Sequence, residues 1–199
     1  MIFPDLDIVA VTTGRALFPL SKFADLISGS VRSDTAIRAA PVGAKRLADR
    51  ISDVSTEKPS PVGAAPKAAA SISGKVYVFP PNPLNIKSVS LSLTDPQPRY
   101  DVEYYAIDPT KPASRFAGPI GLDGHYQKGE PTYIQWLGIR GINAIKGSWL
   151  DDHTFVMNWL ILGQGPAHLN TFTFDGDKLN WRVAFADGSE ISIDGKTGG

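Results

Sequence analysis

Short runs of alternating apolar and polar residues fill the chain from Ile72 onward, and each run stops at Gly, Pro, Asp or Asn. Apolar and polar residues alternate regularly over Ser88–Leu93 and Asn180–Phe185. This pattern is typical of strands with one face toward solvent and the other toward the core. Asp-Gly pairs at Asp123, Asp175 and Asp187 predict tight turns. The predicted strands are Lys75–Phe79, Ser88–Leu93, Tyr100–Ile107, Arg115–Leu122, Ala144–Trp149, Thr154–Ile161, His168–Phe174, Lys178–Phe185 and Glu190–Ile193.

The region after Ile72 therefore has the pattern of a mainly β domain. Eight or nine antiparallel strands in succession form either a sandwich or a meander barrel. Very short turns join the last strands, and a closed sheet leaves no unpaired edge, so closure is favoured. We expect an antiparallel barrel of 8–9 strands, closed or nearly closed, preceded by an N-terminal strand and one or two helices.

The first part of the chain has a different pattern. The mostly β-branched run Ile8–Thr13 predicts one strand over residues 2–14, covered on both faces. A helical stripe predicts a helix from Pro19 to Gly29. A second helix is predicted over Gly43–Asp53, and it is short and polar enough to need a surface to lie on.

A Pro- and Ala-rich segment, Glu57 to Ala70, separates these two parts. Such a composition is typical of an extended, semi-rigid linker. We therefore divide the chain into a strand-helix-helix segment (1–57), a linker (58–71) and a β domain (72–199).

Composition narrows the classes of partner. The chain has 20 basic and 20 acidic residues and no Cys. A zero net charge gives no support for a nucleic-acid partner, because such surfaces need a basic excess. No Cys means no disulfide, thiolate zinc site or Cys nucleophile. No apolar run approaches the ~20 residues of a membrane span, and Pro4, Asp5 and Asp7 argue against a signal peptide in this chain.

Two short motifs match the signatures of penicillin-recognising serine enzymes. Ser55-Thr-Glu-Lys58 has the form Ser-x-x-Lys, and Lys196-Thr-Gly198 has the form Lys-Thr-Gly. The first motif needs the start of a buried helix, but here two prolines follow it at once and disfavour a helix. The second has no predicted strand to hold it beside a cleft. We therefore assign no catalytic residue.

The histidines give no metal site, because no two of the three have a ligand-like spacing. Asp151-Asp152-His153 is the one cluster with paired carboxylates, and its position between two predicted strands indicates a solvated turn. A metal or acid/base role for this cluster is the alternative, although no other residues support it. We expect no metal and no cofactor.

Aromatic residues with polar tips are concentrated in the β domain. On barrel strands such residues usually fill the core, but they can also line the mouth of a ligand cavity. The candidates for a small apolar-ligand pocket are Trp136, Trp149, Trp159, Trp181, Tyr104 and Tyr126. We expect a functional loop between about Gly129 and Gly141, because this glycine-rich segment is the longest one without a clear pattern.

The order of these segments resembles a known family. The opening phrase, Phe3-Pro-Asp-Leu-Asp-Ile-Val-Ala-Val-Thr-Thr-Gly14, is similar to the strand near the end of the catalytic domain in β-lactamase-like serine hydrolases. These are bacterial relatives of class C β-lactamases, carboxypeptidases of the penicillin-binding type and esterases. The helix around Leu20–Val31 resembles the closing helix of that domain. Three phrases resemble its appended β-rich domain: Ile72-Ser-Gly-Lys-Val-Tyr77, Trp149-Leu-Asp-Asp-His-Thr-Phe155 and Thr173-Phe-Asp-Gly-Asp-Lys-Leu179.

The resemblance implies that this chain is the C-terminal portion of such a hydrolase. Its partner would then be a missing upstream catalytic domain, and its catalytic motifs would precede Met1. The β domain would modulate substrate access or assembly without activity of its own. The parent protein would be periplasmic or secreted.

Two further expectations come from the residues themselves. The chain could instead be a lipocalin-like protein that binds a small apolar ligand inside the barrel. The apolar first strand and helix, without a domain to cover them, predict self-association or docking on the barrel, because an unpaired apolar edge invites pairing.

Overall fold

The computed structural model describes residues 1–12, 19–35, 38–106, 114–134 and 139–198, which form two compact units. The first unit is Met1–Glu57 and the second is Lys58–Gly199. The buried hydrophobic residues that the structure describes all lie in the second unit, from Ala69 onward. The hydrophobic core therefore belongs to the second unit.

The first unit contains a small hairpin and two helices. β1 (Ile2–Phe3) pairs antiparallel with β2 (Ile8–Val9) across a 3-10 turn. The sequence predicted one continuous strand here, but the structure has a hairpin. Pro4 begins this turn, and Asp7 ends it in the left-handed conformation, with φ 52°. The strand was also expected to be buried, but Ile2 and Val9 are largely exposed.

The two helices of this unit are α1 (Leu20–Ser30) and α2 (Pro41–Ser55). Pro41 occupies the first turn of α2, where a missing backbone N–H costs nothing. Apolar side chains of both helices, such as Leu26, Leu47 and Ile51, are exposed. Among the residues that the structure describes, no helix is both long enough and apolar enough to cross a membrane.

One antiparallel sheet of ten strands dominates the second unit. From one end of the sheet to the other, the strands are β6 (Arg115–Pro119), β5 (Arg99–Tyr104), β4 (Ile86–Ser92), β3 (Val76–Val78), β14 (Glu190–Thr197), β13 (Lys178–Ala184), β12 (His168–Asp175), β11 (Thr154–Ile161), β10 (Asn143–Trp149) and β7 (Gln127–Lys128). A separate hairpin pairs β8 (Thr132–Ile134) with β9 (Ile139–Gly141) within the segment predicted to be a functional loop. A short helix, α3 (Ala69–Ile72), precedes β3.

The sheet curls until its two ends meet at Gly121, just after β6. Gly121 forms a parallel bridge with Lys146 of β10. Its N–H donates to the carbonyl of Ile145 at 3.0 Å, and its own carbonyl accepts from the N–H of Gly147 at 2.9 Å. A Cβ at Gly121 would lie 1.8 Å from the carbonyl oxygen of His125, so this junction requires glycine. The prediction of a mainly β, nearly closed antiparallel barrel is confirmed.

Each of the nine predicted strands is present, and β7 adds a tenth that is only two residues long. Some bounds differ from the prediction. β14 continues to Thr197, so Lys196 and Thr197 lie in a strand that pairs with β3. The tripeptide Lys196-Thr-Gly198 was expected to lie outside any strand, and that expectation is wrong.

Residues 58–71, predicted as a linker, belong to the second unit. The N–H of Ser60 donates to the carbonyl of Gly124 at 3.0 Å, and its Oγ accepts from Nζ of Lys146 at 2.8 Å. The Lys146 ammonium also lies 4.5 Å from the ring centroid of Tyr126. Farther along, Ala69 of α3 is buried in the core. The segment is therefore held on the barrel at both of its ends.

Aromatic side chains close one end of the barrel. Trp149 packs edge-on against Phe155, with ring centroids 5.3 Å apart, and lies 6.1 Å from Phe174. Phe174 in turn lies 5.6 Å from Tyr77. Because these rings fill that end, any internal space must lie toward the other end.

Candidate functional site

The barrel holds a cavity of about 400 Å³, open at the end opposite the aromatic cluster. Strands β5, β11 and β13 finish at this end, and β4, β6, β12 and β14 begin there. Most of the lining is apolar. The lining residues are Pro83, Leu84, Asn85, Ile86, Tyr104, Phe116, Trp159, Ile161, His168, Asn170, Trp181, Val183, Phe185 and Ile191.

Two indoles form the inner wall of the cavity. Trp181 and Trp159 are almost completely buried. Nε1 of Trp181 donates to Oδ1 of Asn170 at 3.0 Å, and Nε1 of Trp159 donates to Oδ1 of Asn143 at 2.9 Å. Each indole N–H thus has a partner, which removes the cost of burying it. The two rings are fixed in position without any ligand.

Neighbouring rings support these indoles from below. Trp181 lies 4.8 Å from Phe172 and 6.0 Å from Phe79, while Trp159 lies 5.1 Å from Tyr100. Packed aromatic pairs at such distances contribute beyond their buried area. The inner wall therefore rests on a continuous aromatic core.

The loop between β3 and β4 forms one side of the mouth, and Asn82 holds it in shape. Nδ2 of Asn82 donates to the carbonyls of Pro80 and Ile86, and its Oδ1 accepts from the N–H groups of Leu84 and Ile86. All four contacts measure between 2.6 and 3.2 Å. One side chain thus fixes the mouth residues Pro83 and Leu84.

Asn85 ties the same loop to β5. It adopts the left-handed conformation, with φ 57°. Its Nδ2 donates to the carbonyl of Tyr105 at 2.9 Å, and its own carbonyl accepts from the Tyr105 N–H at 2.8 Å. The Tyr105 hydroxyl donates to the carbonyl of Phe79 at 2.6 Å. The mouth is therefore built before a ligand arrives.

Two titratable side chains are among the lining residues. Burial raises the pKa of Tyr104 well above its ordinary value, with a smaller contribution from Tyr100. Burial lowers the pKa of His168 below its ordinary value. Both shifts favour the neutral form, so at pH 7 neither group brings a charge to the cavity.

His168 has an incomplete set of hydrogen bonds. Its Nδ1 is buried and has no hydrogen-bond partner among the residues that the structure describes. Its ring packs edge-on against Phe185, with centroids 5.3 Å apart. This nitrogen has almost no accessible surface, so a molecule in the cavity would reach it only after a rearrangement of the wall.

The six residues predicted to line a pocket do not all lie in the same part of the barrel. Tyr104, Trp159 and Trp181 lie together on the cavity wall. Trp149 belongs to the aromatic cluster at the opposite end, and Tyr126 packs under the ammonium of Lys146. Trp136 lies outside the described residues.

Sequence reasoning missed His168 and Asn170, although a signal for them existed. His168, Asn170, Phe172 and Phe174 alternate along β12 and point into the barrel, as the burial of the last three shows. The inward side chains of this one strand change from polar at the open end to aromatic at the filled end. Polar residues at inward positions of a strand mark the wet or ligand-facing end of a barrel interior.

The other candidate motifs have ordinary structural roles. The N–H of His153 donates to Oδ1 of Asp151 at 2.8 Å, in the exposed turn between β10 and β11. This hydrogen bond is the main cause of a lowered pKa for Asp151. Ser55 ends α2, and its Oγ donates to the carbonyl of Ser52. Within the described ranges, no three His, Asp or Glu residues are grouped closely enough to hold a metal ion.

Comparison of the chain with protein-family models, with curated proteins and with solved structures found no match.

Proposed function

We propose that the second unit binds a small apolar molecule in the open end of its barrel. The observation that carries this proposal is the cavity of about 400 Å³ with its mostly apolar wall. Small-molecule sites range from roughly 300 to 1,000 Å³ and combine apolar walls with a few polar groups. The cavity falls within this range and has this composition.

The rigidity of the walls supports the proposal. Both indoles of the inner wall and the loop at the mouth are held by hydrogen bonds within the protein. A site that is already formed loses little conformational entropy when a ligand enters. Apolar ligands then gain from burial at about 25 cal/mol per Å² of apolar surface.

A neutral apolar dye such as N-phenylnaphthylamine tests this proposal, because its emission rises on entry into a dry site. Val183 lines the cavity, and replacing it with Trp would fill part of the space. Val78 on β3 is 39% exposed and does not line the cavity, so Val78→Trp is a matched control. We expect Val183→Trp to weaken dye binding at least tenfold and Val78→Trp to leave it unchanged. Equal binding by both variants, or no binding by the unchanged protein, would refute the proposal.

A second proposal rests on the resemblance to β-lactamase-like serine hydrolases. Under it, the first unit is the tail of a catalytic domain and the barrel is an accessory domain that modulates substrate access or assembly. The exposed apolar side chains Leu26, Leu47 and Ile51 favour a covering partner for this unit. The chain alone should then hydrolyse neither a chromogenic β-lactam nor a p-nitrophenyl ester. Turnover that Ser55→Ala abolishes would contradict this reading.

A further inference from the structure

The cavity wall contains a side chain whose charge depends on pH. Two of the described lining residues are titratable, Tyr104 and His168, and of these His168 is the one that gains a charge in mildly acid solution. The described lining residues include no Lys, Arg, Asp or Glu. The wall is therefore uncharged at neutral pH, and protonation of His168 gives it a positive charge.

Within the part of the chain that the structure describes, no charged side chain points at His168 from the strands around the cavity. On β4, β5, β6, β13 and β14 the charged residues occupy positions between the buried ones, so they point outward. β11 and the loop of residues 79–85 contain no charged residue, and Asp175 lies at the far end of β12. The other inward titratable groups on these strands are Tyr100 and Tyr104, and burial raises the pKa of both. A protonated His168 would therefore meet no carboxylate.

The surroundings of the His168 ring favour its neutral form. The ring packs edge-on against Phe185, and its residue lies opposite Trp159 on β11. An imidazolium carries a proton on both ring nitrogens. Because Nδ1 is buried and has no partner among the described residues, that N–H would have no acceptor. Burial accordingly lowers the pKa of His168.

An apolar ligand would make the charged form less favourable still. His168 is only partly buried and lines the open cavity, so solvent in the empty cavity reaches part of its ring. A ligand that fills the cavity removes this solvent and supplies no acceptor or opposite charge in its place. Ligand binding and protonation therefore oppose each other. By linkage, each weakens the other by the same factor.

We propose that the cavity releases its apolar ligand on acidification, because protonation of His168 places an unpaired positive charge on the wall that the ligand covers. The barrel then holds its ligand at neutral pH and loses affinity for it in acid. This inference rests on the proposed binding function and adds how that binding is regulated.

Titration of the protein with N-phenylnaphthylamine at several values between pH 8 and pH 5 tests the proposal, because this dye stays neutral over that range. Affinity should be constant above the ordinary His pKa of about 6.5 and fall below it. It should level off once His168 is protonated in the complex as well. We expect binding about 3- to 10-fold weaker at pH 5 than at pH 8, well below the limit for a fully buried charge. Circular dichroism at each pH checks that the protein stays folded.

Two variants with the same replacement locate the effect. His168→Phe keeps a ring in the wall and cannot be protonated, so its affinity for the dye should be independent of pH. His153 lies in the exposed turn between β10 and β11 and does not line the cavity, so His153→Phe is the matched control. We expect His153→Phe to lose affinity in acid as the unchanged protein does.

Contrary results separate this inference from the function on which it rests. Dye affinity that is equal at pH 8 and pH 5 in the folded, unchanged protein would refute the release in acid and leave the binding function intact. An equal loss of affinity in His168→Phe would show that another group is responsible. If the dye binds at no pH, the proposed function fails as well.

The reciprocal measurement needs no variant. Ring resonances of His168, followed by NMR against pH, give its pKa in the free protein and in the protein saturated with dye. We expect the dye to lower this pKa and to leave those of His125 and His153 unchanged, since neither lines the cavity. A His168 pKa that the dye leaves unchanged or raises would overturn the proposal.

Discussion

Gly147 of β10 makes room for a ring in the filled end of the barrel, and Gly147→Ala should therefore destabilise the protein. A Cβ at this position would lie 2.3 Å from Cζ and 2.9 Å from Cε1 of Phe155, whereas ordinary contacts begin near 3.4 Å. Phe155 is completely buried, with Trp149 on one side and Phe172 on another. The ring has little space to retreat.

The expected magnitude follows from two opposing effects. Overpacking a tight core costs about 1–3 kcal/mol. Replacing Gly with Ala also restricts the unfolded chain, which returns about 0.4–1 kcal/mol. We expect a net loss of about 1–2 kcal/mol, or a fall in Tm of about 2–8 °C for a domain near 150 residues. Thermal unfolding followed by circular dichroism measures this fall.

Gly129→Ala is the matched control, because a Cβ there meets its nearest atoms at 3.6 and 3.8 Å, which are ordinary contacts. We expect its Tm to be unchanged or slightly raised. Phe155→Leu removes both ring atoms that clash, so the double variant should be more stable than the sum of the single effects, by about 0.5–3 kcal/mol. A Gly147→Ala protein as stable as Gly129→Ala would refute the reasoning.

Three other changes test separate parts of the structure. Asn170→Leu leaves the buried N–H of Trp181 unpaired and should cost about 1–3 kcal/mol in urea unfolding; an unchanged midpoint would count against this role. Because burial lowers the pKa of His168, the unfolded state binds the proton more readily, so stability should fall as pH drops below about 6.5. His168→Phe should flatten this dependence of Tm on pH, and an equal slope would contradict the assignment. The exposed Leu47 and Ile51 predict that the full chain self-associates more than a chain beginning at Lys58, and identical masses in sedimentation would argue otherwise.

The strands of the barrel were predictable because their side chains alternate with a period of two. β11 and β13 show this directly, since every second residue from Phe155 to Ile161 and from Leu179 to Val183 is buried. β7 escaped prediction because two residues carry no pattern. The N-terminal hairpin was not predicted, because the apolar residues on both sides of its turn form a pattern like that of a single strand. The turn itself depends on the left-handed backbone of Asp7, which the pattern does not show.

The cavity was harder to predict than the fold. Trp149 and Trp159 both point into the barrel, yet one helps to close an end and the other lines the open space. Strand direction and register place them there, and neither can be read from a single strand. Aromatic size does not indicate the polar wall residue His168, because its inward position on β12 is what brings it to the cavity.

The pairing of β3 with β14 bears on how the domain reaches its final form. Tyr77 lies opposite Thr197, so the first and last strands of the barrel are neighbours. Strands β10 to β14 pair with their successors in sequence and need only short loops to close, whereas this seam joins distant parts of the chain. We expect the hairpins to form early and the seam late. During synthesis, the backbone N–H and C=O groups on the β14-facing edge of β3 would then stay unpaired until almost the whole domain had left the ribosome.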